Sequence, residues 1–95
     1  MKIAILTGAS SGLGKEFFDA LCEKYNYLDE VWVVARRAQR LEKLKEGAPF
    51  EVRTISVDLT EHKGIEAINS LLKNEKPDVE ILINNAGFGW GKYKP

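Results

Sequence analysis

Lys2 to Thr7, reading Lys-Ile-Ala-Ile-Leu-Thr, is a short and nearly unbroken apolar run that stops at Gly8. It has the pattern of a strand buried on both faces of a parallel sheet. Beyond the glycines of Gly8-Ala-Ser-Ser-Gly-Leu-Gly14 the period changes: Leu13, Phe17, Leu21 and Tyr25 recur every four residues, with Lys15, Glu16, Asp19, Glu23 and Lys24 between them. That spacing predicts an amphipathic helix with those four residues on its inner side. This strand, glycine loop and helix constrain the rest of the chain, because parallel strands need crossover connections and helices to cover their faces.

The remaining sequence supplies such units. Glu30 to Ala35, rich in Val and Trp, predicts a second buried strand. Ala38 to Glu46 predicts a charged helix with Leu41 and Leu44 inward, closed by Gly47 and Pro49. Phe50 to Val57 predicts a third strand, Glu61 to Asn74 a third helix and Val79 to Ile83 a fourth strand. The alternation argues a doubly wound parallel sheet of Rossmann type, truncated to four strands in the order 3-2-1-4 with three helices. The whole chain, residues 1–95, is then a single partial dinucleotide-binding domain. Residues 86–95 hold three glycines and read as a mobile loop or tail.

Composition narrows the function classes. Fourteen Lys and Arg balance fourteen Asp and Glu, so no net field favours nucleic acid or an anionic membrane, and any anion site must be local. The single cysteine, Cys22, cannot form an intrachain disulfide, and Ile3 to Leu6 is too short for a membrane span. The default expectation is a reducing, cytoplasmic location. His62, the only histidine, sits on the polar opening turn of a helix and reads as a surface residue.

The glycine loop stands where a parallel sheet places its phosphate site. Gly8 permits the turn out of the strand, Gly12 leaves room for a pyrophosphate to touch backbone, and Gly14 lets the helix pack closely. Leu13 lies between the last two of these glycines. Free helix N–H groups and the positive dipole end attract an anion, while Ser10 and Ser11 either donate hydroxyls or cap the helix. A P-loop is excluded at two positions: Ala9 replaces its first glycine, and Glu16 replaces its magnesium-holding Ser or Thr.

Four motifs carry a family resemblance: Thr-Gly-x-x-x-Gly-x-Gly at residues 7–14, Ala-Arg-Arg at 35–37, Asp-Leu at 58–59 and Asn-Asn-Ala-Gly at 84–87. Together, in order and at the ends of successive strands, they resemble the short-chain dehydrogenase/reductase family. The resemblance covers essentially the whole chain and less than half of a usual family member. It implies the NADP(H)-binding half of an oxidoreductase whose parent transfers a hydride between NADPH and a carbonyl or alcohol. Where an NAD site would present an acid to the ribose 2′-hydroxyl, Arg36 and Arg37 stand instead, which favours NADP over NAD, with Arg36 the nearer 2′-phosphate ligand. By resemblance Asp58 accepts from the adenine amino group, Leu59 flanks the ring, and Asn85, Ala86 and Gly87 pass along the ribose. The bland reading of Asp58 and Thr60 is a cap on the third helix, with Thr60 as N-cap.

The family's chemistry uses a serine and a Tyr-x-x-x-Lys pair, and neither is matched here. Tyr25 is followed four residues later by Asp29, Tyr27 by Val31, and Tyr93 lies too near Pro95. No catalytic residue and no metal ligand is assigned within these residues, and the chain alone is expected not to turn over substrate. A noncatalytic nucleotide-binding or self-associating module is the alternative reading. Because the first two helices should cover one face and only the third the other, and the fourth strand leaves an apolar edge, a homo-oligomer joined near the fourth strand and third helix, or else a partly molten monomer, is expected.

Overall fold

A computed structural model describes residues 1–85. The segment expected as a tail, with Ala86 and Gly87, lies outside the described residues. Strands β1 (Lys2–Thr7), β2 (Glu30–Ala35), β3 (Glu51–Ser56) and β4 (Asp78–Asn84) form one sheet in the order β3-β2-β1-β4. All three pairings are parallel, with Ala4 opposite Val31 and Ile81, and Val31 opposite Val52. Helix α1 (Gly12–Lys24) follows β1, a 3₁₀ helix (Ala38–Lys45) follows β2, and α2 (His62–Glu75) follows β3.

Alternation along the strands feeds two apolar layers. Ala4, Leu6, Val31, Val33 and Val52 face α1 and the 3₁₀ helix, where Phe18 meets Phe50 edge to face with centroids 5.9 Å apart. Ile3, Ile5, Trp32, Val34 and Ile55 point the other way, onto Ile68 of α2 and Leu59. The first two helical segments therefore share one face and α2 has the other, as the winding requires. Arg53 ties the outer edge of that second layer together. Its guanidinium lies 4.7 Å from the Trp32 ring centroid, donates to both Glu75 carboxylate oxygens at 2.5 and 3.0 Å, and pairs with Glu30 at 3.1 Å.

Two helices differ from expectation. In α1 the buried residues are Gly14, Phe18 and Leu21, and Phe17 packs partly buried against the same layer, whereas Leu13 is 53% exposed and Tyr25 is the exposed C-cap. The reason is Gly14: a Cβ there would lie 2.5 Å from the Gly8 carbonyl oxygen and 2.8 Å from the Ala9 Cα. The helix start thus rests on backbone, and this rotates Leu13 outward. The segment after β2 is a 3₁₀ rather than an α-helix. Its apolar residues, Ala38, Leu41 and Leu44, are spaced by threes, and a helix with three residues per turn aligns them on the core.

Helix α2 also approaches backbone. A Cβ on Gly64 would overlap the carbonyl oxygen of Asp58. In an open helix Gly→Ala stabilises by about 1 kcal/mol. Here Gly64→Ala is expected instead to destabilise by about 1–3 kcal/mol, the usual range for overpacking, read as a lower urea midpoint at unchanged slope. A raised midpoint would show that the helix can move away at no cost.

Candidate functional site

The carboxyl ends of β1, β2 and β3 open into a cleft of about 410 Å³ lined by residues that include Gly8, Ser10, Ser11, Ala35, Arg36, Asp58, Leu59 and Asn85. Beside it lies a smaller recess of about 200 Å³ lined by Ser10, Arg36, Arg37 and Arg40. The parallel winding brings these loops together, since every strand runs in the same sense and every crossover starts at this end.

The glycine loop is held from three sides. Gly8 takes a positive φ of 63°, a conformation that favours glycine, and its amide donates to the Val34 carbonyl at 3.1 Å. Ser11 is the N-cap of α1, its Oγ accepting from the Gly14 amide at 2.9 Å and donating to the Gly8 carbonyl at 3.0 Å. The Asn85 side-chain amide donates to that same carbonyl at 3.0 Å and to Ser11 Oγ at 2.9 Å. Thr7, fully buried, donates to Asn84 Oδ1 at 2.9 Å and so joins the ends of β1 and β4.

The two serines therefore have different work. The hydroxyl proton of Ser11 is committed to the loop itself, whereas Ser10 is exposed and borders both cavities. The amides of Gly12 and Leu13 have no acceptor among the described residues and sit at the positive end of the α1 dipole. A Cβ on Gly12 would meet nothing within 4 Å, so the chain is open on that side of Gly12. Gly12 and Leu13 lie at the helix start and line neither of the two cavities.

Asp58 and Thr60 form an Asx turn, not a helix cap. Asp58 Oδ1 accepts from the Thr60 amide at 2.9 Å and from the Thr60 hydroxyl at 2.5 Å, while the N-cap of α2 is Glu61, without a side-chain cap bond. Thr60 is drawn from the helix by the nearer carboxylate. The Thr60 hydroxyl, then the Thr60 amide and, less strongly, the Arg36 guanidinium hold the Asp58 carboxyl below its ordinary range, against partial desolvation. Leu59 is buried in the second apolar layer and still borders the cleft.

Arg36 reaches both cavities and Arg37 only the smaller one. The acid that would neutralise them in a plain surface helix is turned away: Glu42 accepts from Thr54 at 2.5 Å and pairs with Lys45 at 2.9 Å. Arg40, which lies outside the four motifs, lines the smaller recess as well, and the spacing of Arg37, Arg40 and Lys43 by threes is its signal in the sequence.

A protein-family model described as short chain dehydrogenase matches residues 2–94, and the chain belongs to that family. It is 37% identical over 92 residues to a very-long-chain 3-oxoacyl-CoA reductase of Pyrenophora tritici-repentis, covering 90% of this chain and 26% of that protein. It is 30% identical over 92 residues to an NAD-dependent glycerol dehydrogenase of Listeria innocua, covering 90% of this chain and 33% of the relative. Among solved structures, a short-chain dehydrogenase of Sphingobium yanoikuyae in complex with NADPH superposes with a TM-score of 0.73 at 29% identity, over 94% of this chain and 35% of that one. The chain spans roughly a quarter to a third of the length of these relatives.

The pH behaviour of Asp58 follows from its contacts. Because the folded state favours the carboxylate, this contribution to stability is present above the unfolded value of about 3.9 and fades as pH falls through the lower folded one. Thr60→Val removes the strongest cause, so the Asp58 carboxyl should titrate at higher pH than in the unsubstituted chain, measured by carbon-13 NMR of the side chain. An unchanged midpoint would mean that the amide alone sets the shift.

Proposed function

We propose that these residues form the NADP(H)-binding part of a short-chain oxidoreductase. The observation that carries the cofactor choice is the recess at the end of β2, where Arg36 and Arg37 stand and the segment Ala35 to Arg37 offers no acid to a ribose hydroxyl. A guanidinium presents forked donors to a phosphate, whereas an NAD site needs a carboxylate acceptor at this point. The NADPH complex of the Sphingobium relative supports this reading. The Listeria relative is NAD-dependent, so family membership alone leaves the cofactor open, and it is the arginines that favour NADP.

The loop fits the rest of such a ligand. The amides of Gly12 and Leu13 would take the pyrophosphate, with Gly8 and Gly14 shaping the turn and Ser10 adding a hydroxyl. Ser11 would act through the loop it caps. Asp58 would accept from the adenine amino group, Leu59 would support the ring, and Asn85, Ala86 and Gly87 would follow the ribose. Bound NADPH supplies the hydride. In the parent protein we propose transfer between that cofactor and a carbonyl or alcohol, in the cytoplasm, the single free thiol of Cys22 being consistent with a reducing compartment. No helix among the described residues is long and apolar enough to cross a membrane.

Calorimetric titration tests the cofactor choice. NADP should bind more tightly than NAD, and Arg36→Ala should weaken NADP by about tenfold or more, as expected for a charged hydrogen bond, while leaving NAD nearly unchanged. Equal affinities that ignore the substitution would sink the arginine assignment.

We also propose that the chain self-associates through β4. Among the described residues that strand pairs with β1 alone, Val79 is 39% exposed, and Ile81, Leu82 and Ile83 are incompletely covered. An apolar, unpaired edge recruits a further strand. Light scattering at low micromolar concentration should give a dimer or larger mass, and a monomer with cooperative unfolding would refute this.

A further inference from the structure

The 3₁₀ segment sorts its side chains by threes, because residues three apart eclipse in that geometry. Ala38, Leu41 and Leu44 form the line that meets the core. Glu42 and Lys45 belong to a second line and pair at 2.9 Å. Arg37, Arg40 and Lys43 make the third, beginning at the residue just before the helix. An α-helix, at about 100° per residue, would have turned Arg40 roughly 60° away from Arg37. With the 3₁₀ segment in place, both residues border the recess with Arg36 and Ser10.

Arg36 has the Asp58 carboxylate near it, on the cleft side. Among the described residues neither Arg37 nor Arg40 makes an ion pair, and Glu42, the acid of the helix, is held by Thr54 and Lys45. Arg36, Arg37 and Arg40 are all exposed to solvent, so each keeps its donors available. Three forked cations and one hydroxyl around about 200 Å³ match a phosphate monoester, a dianion with three terminal oxygens, better than a ribose hydroxyl.

We propose that Arg40 is a specificity-determining residue, the third guanidinium for the ribose phosphate monoester that distinguishes NADP from NAD. The inference rests on the reading of the cleft as an NADP(H) site. It adds that cofactor choice is made partly from within the 3₁₀ helix, five residues beyond the end of β2.

The test is calorimetric titration of the 95-residue chain with NADP, NAD, adenosine 2′,5′-bisphosphate and adenosine 5′-monophosphate. Arg40→Gln should weaken both 2′-phosphorylated ligands by about five- to tenfold and leave the other two unchanged, with Arg40→Lys intermediate. Lys43→Gln removes the same charge one turn further along and should have a clearly smaller effect. Unaltered thermal unfolding of each variant shows that the fold is intact. Equal losses for Arg40→Gln and Lys43→Gln, or a loss shared by NAD, would overturn the proposal in favour of a diffuse field or a shifted helix. An effect of Arg36→Ala with none of Arg40→Gln would overturn it and leave the NADP reading standing. No effect of either substitution, or no binding of the 2′-phosphorylated ligands, would overturn both.

Discussion

Helix α1 begins in contact with the backbone of the loop that precedes it, and much of the site follows from that contact. Gly14 has no Cβ, so the helix settles against Gly8 and Ala9, at a distance that any side chain would forbid. This fixes the rotation of α1, which puts Phe18 and Leu21 into the core and Leu13 outside. It also holds the loop so tightly that Ser11 can cap the helix and bond Gly8 at once, with Asn85 reaching across from the end of β4. The amides of Gly12 and Leu13 are left without an acceptor among the described residues, because the Ser11 hydroxyl is taken by Gly8 and Gly14.

A similar contact recurs on the opposite face. Gly64 brings the first turn of α2 onto the Asp58 carbonyl, just as the Asx turn at Asp58 and Thr60 commits the carboxylate beside the cleft. The site is thus bordered by helix starts drawn in close to the sheet, one on each face. Glycines placed where chain meets chain do this; they are positional devices, not merely flexible points.

Charge is distributed with equal economy. The chain has no net charge, and several of its acids and bases are matched: Arg53 with Glu75 and Glu30, Lys45 with Glu42, Lys15 with Asp19. Against that background the group at the end of β2 stands out, because three arginines meet there and Glu42, the acid of the 3₁₀ helix, is engaged elsewhere. An anion would find a local positive field in a neutral protein, which is where such a field has selectivity and not mere stickiness.

The strand order and the division of helices between faces could be read from hydrophobic runs and connection lengths, since a parallel sheet with right-handed crossovers admits few windings. The motif residues could be read too, because their types answer to chemistry at fixed points of that winding. Helix rotation could not: the four-residue recurrence of Leu13, Phe17, Leu21 and Tyr25 is a true periodicity, yet the contact at Gly14 selects a neighbouring face. The bonding of Thr60 was equally hidden, since a hydroxyl two residues from a carboxylate can cap a helix or close a turn, and only the path of the backbone chooses. The 3₁₀ form of Ala38–Lys45 lies between these cases. Its three-residue spacing was written in the sequence, but local propensity alone seldom sustains so long a 3₁₀ run. The core contacts of Ala38 and Leu41 sustain it, and those exist only once the sheet has formed.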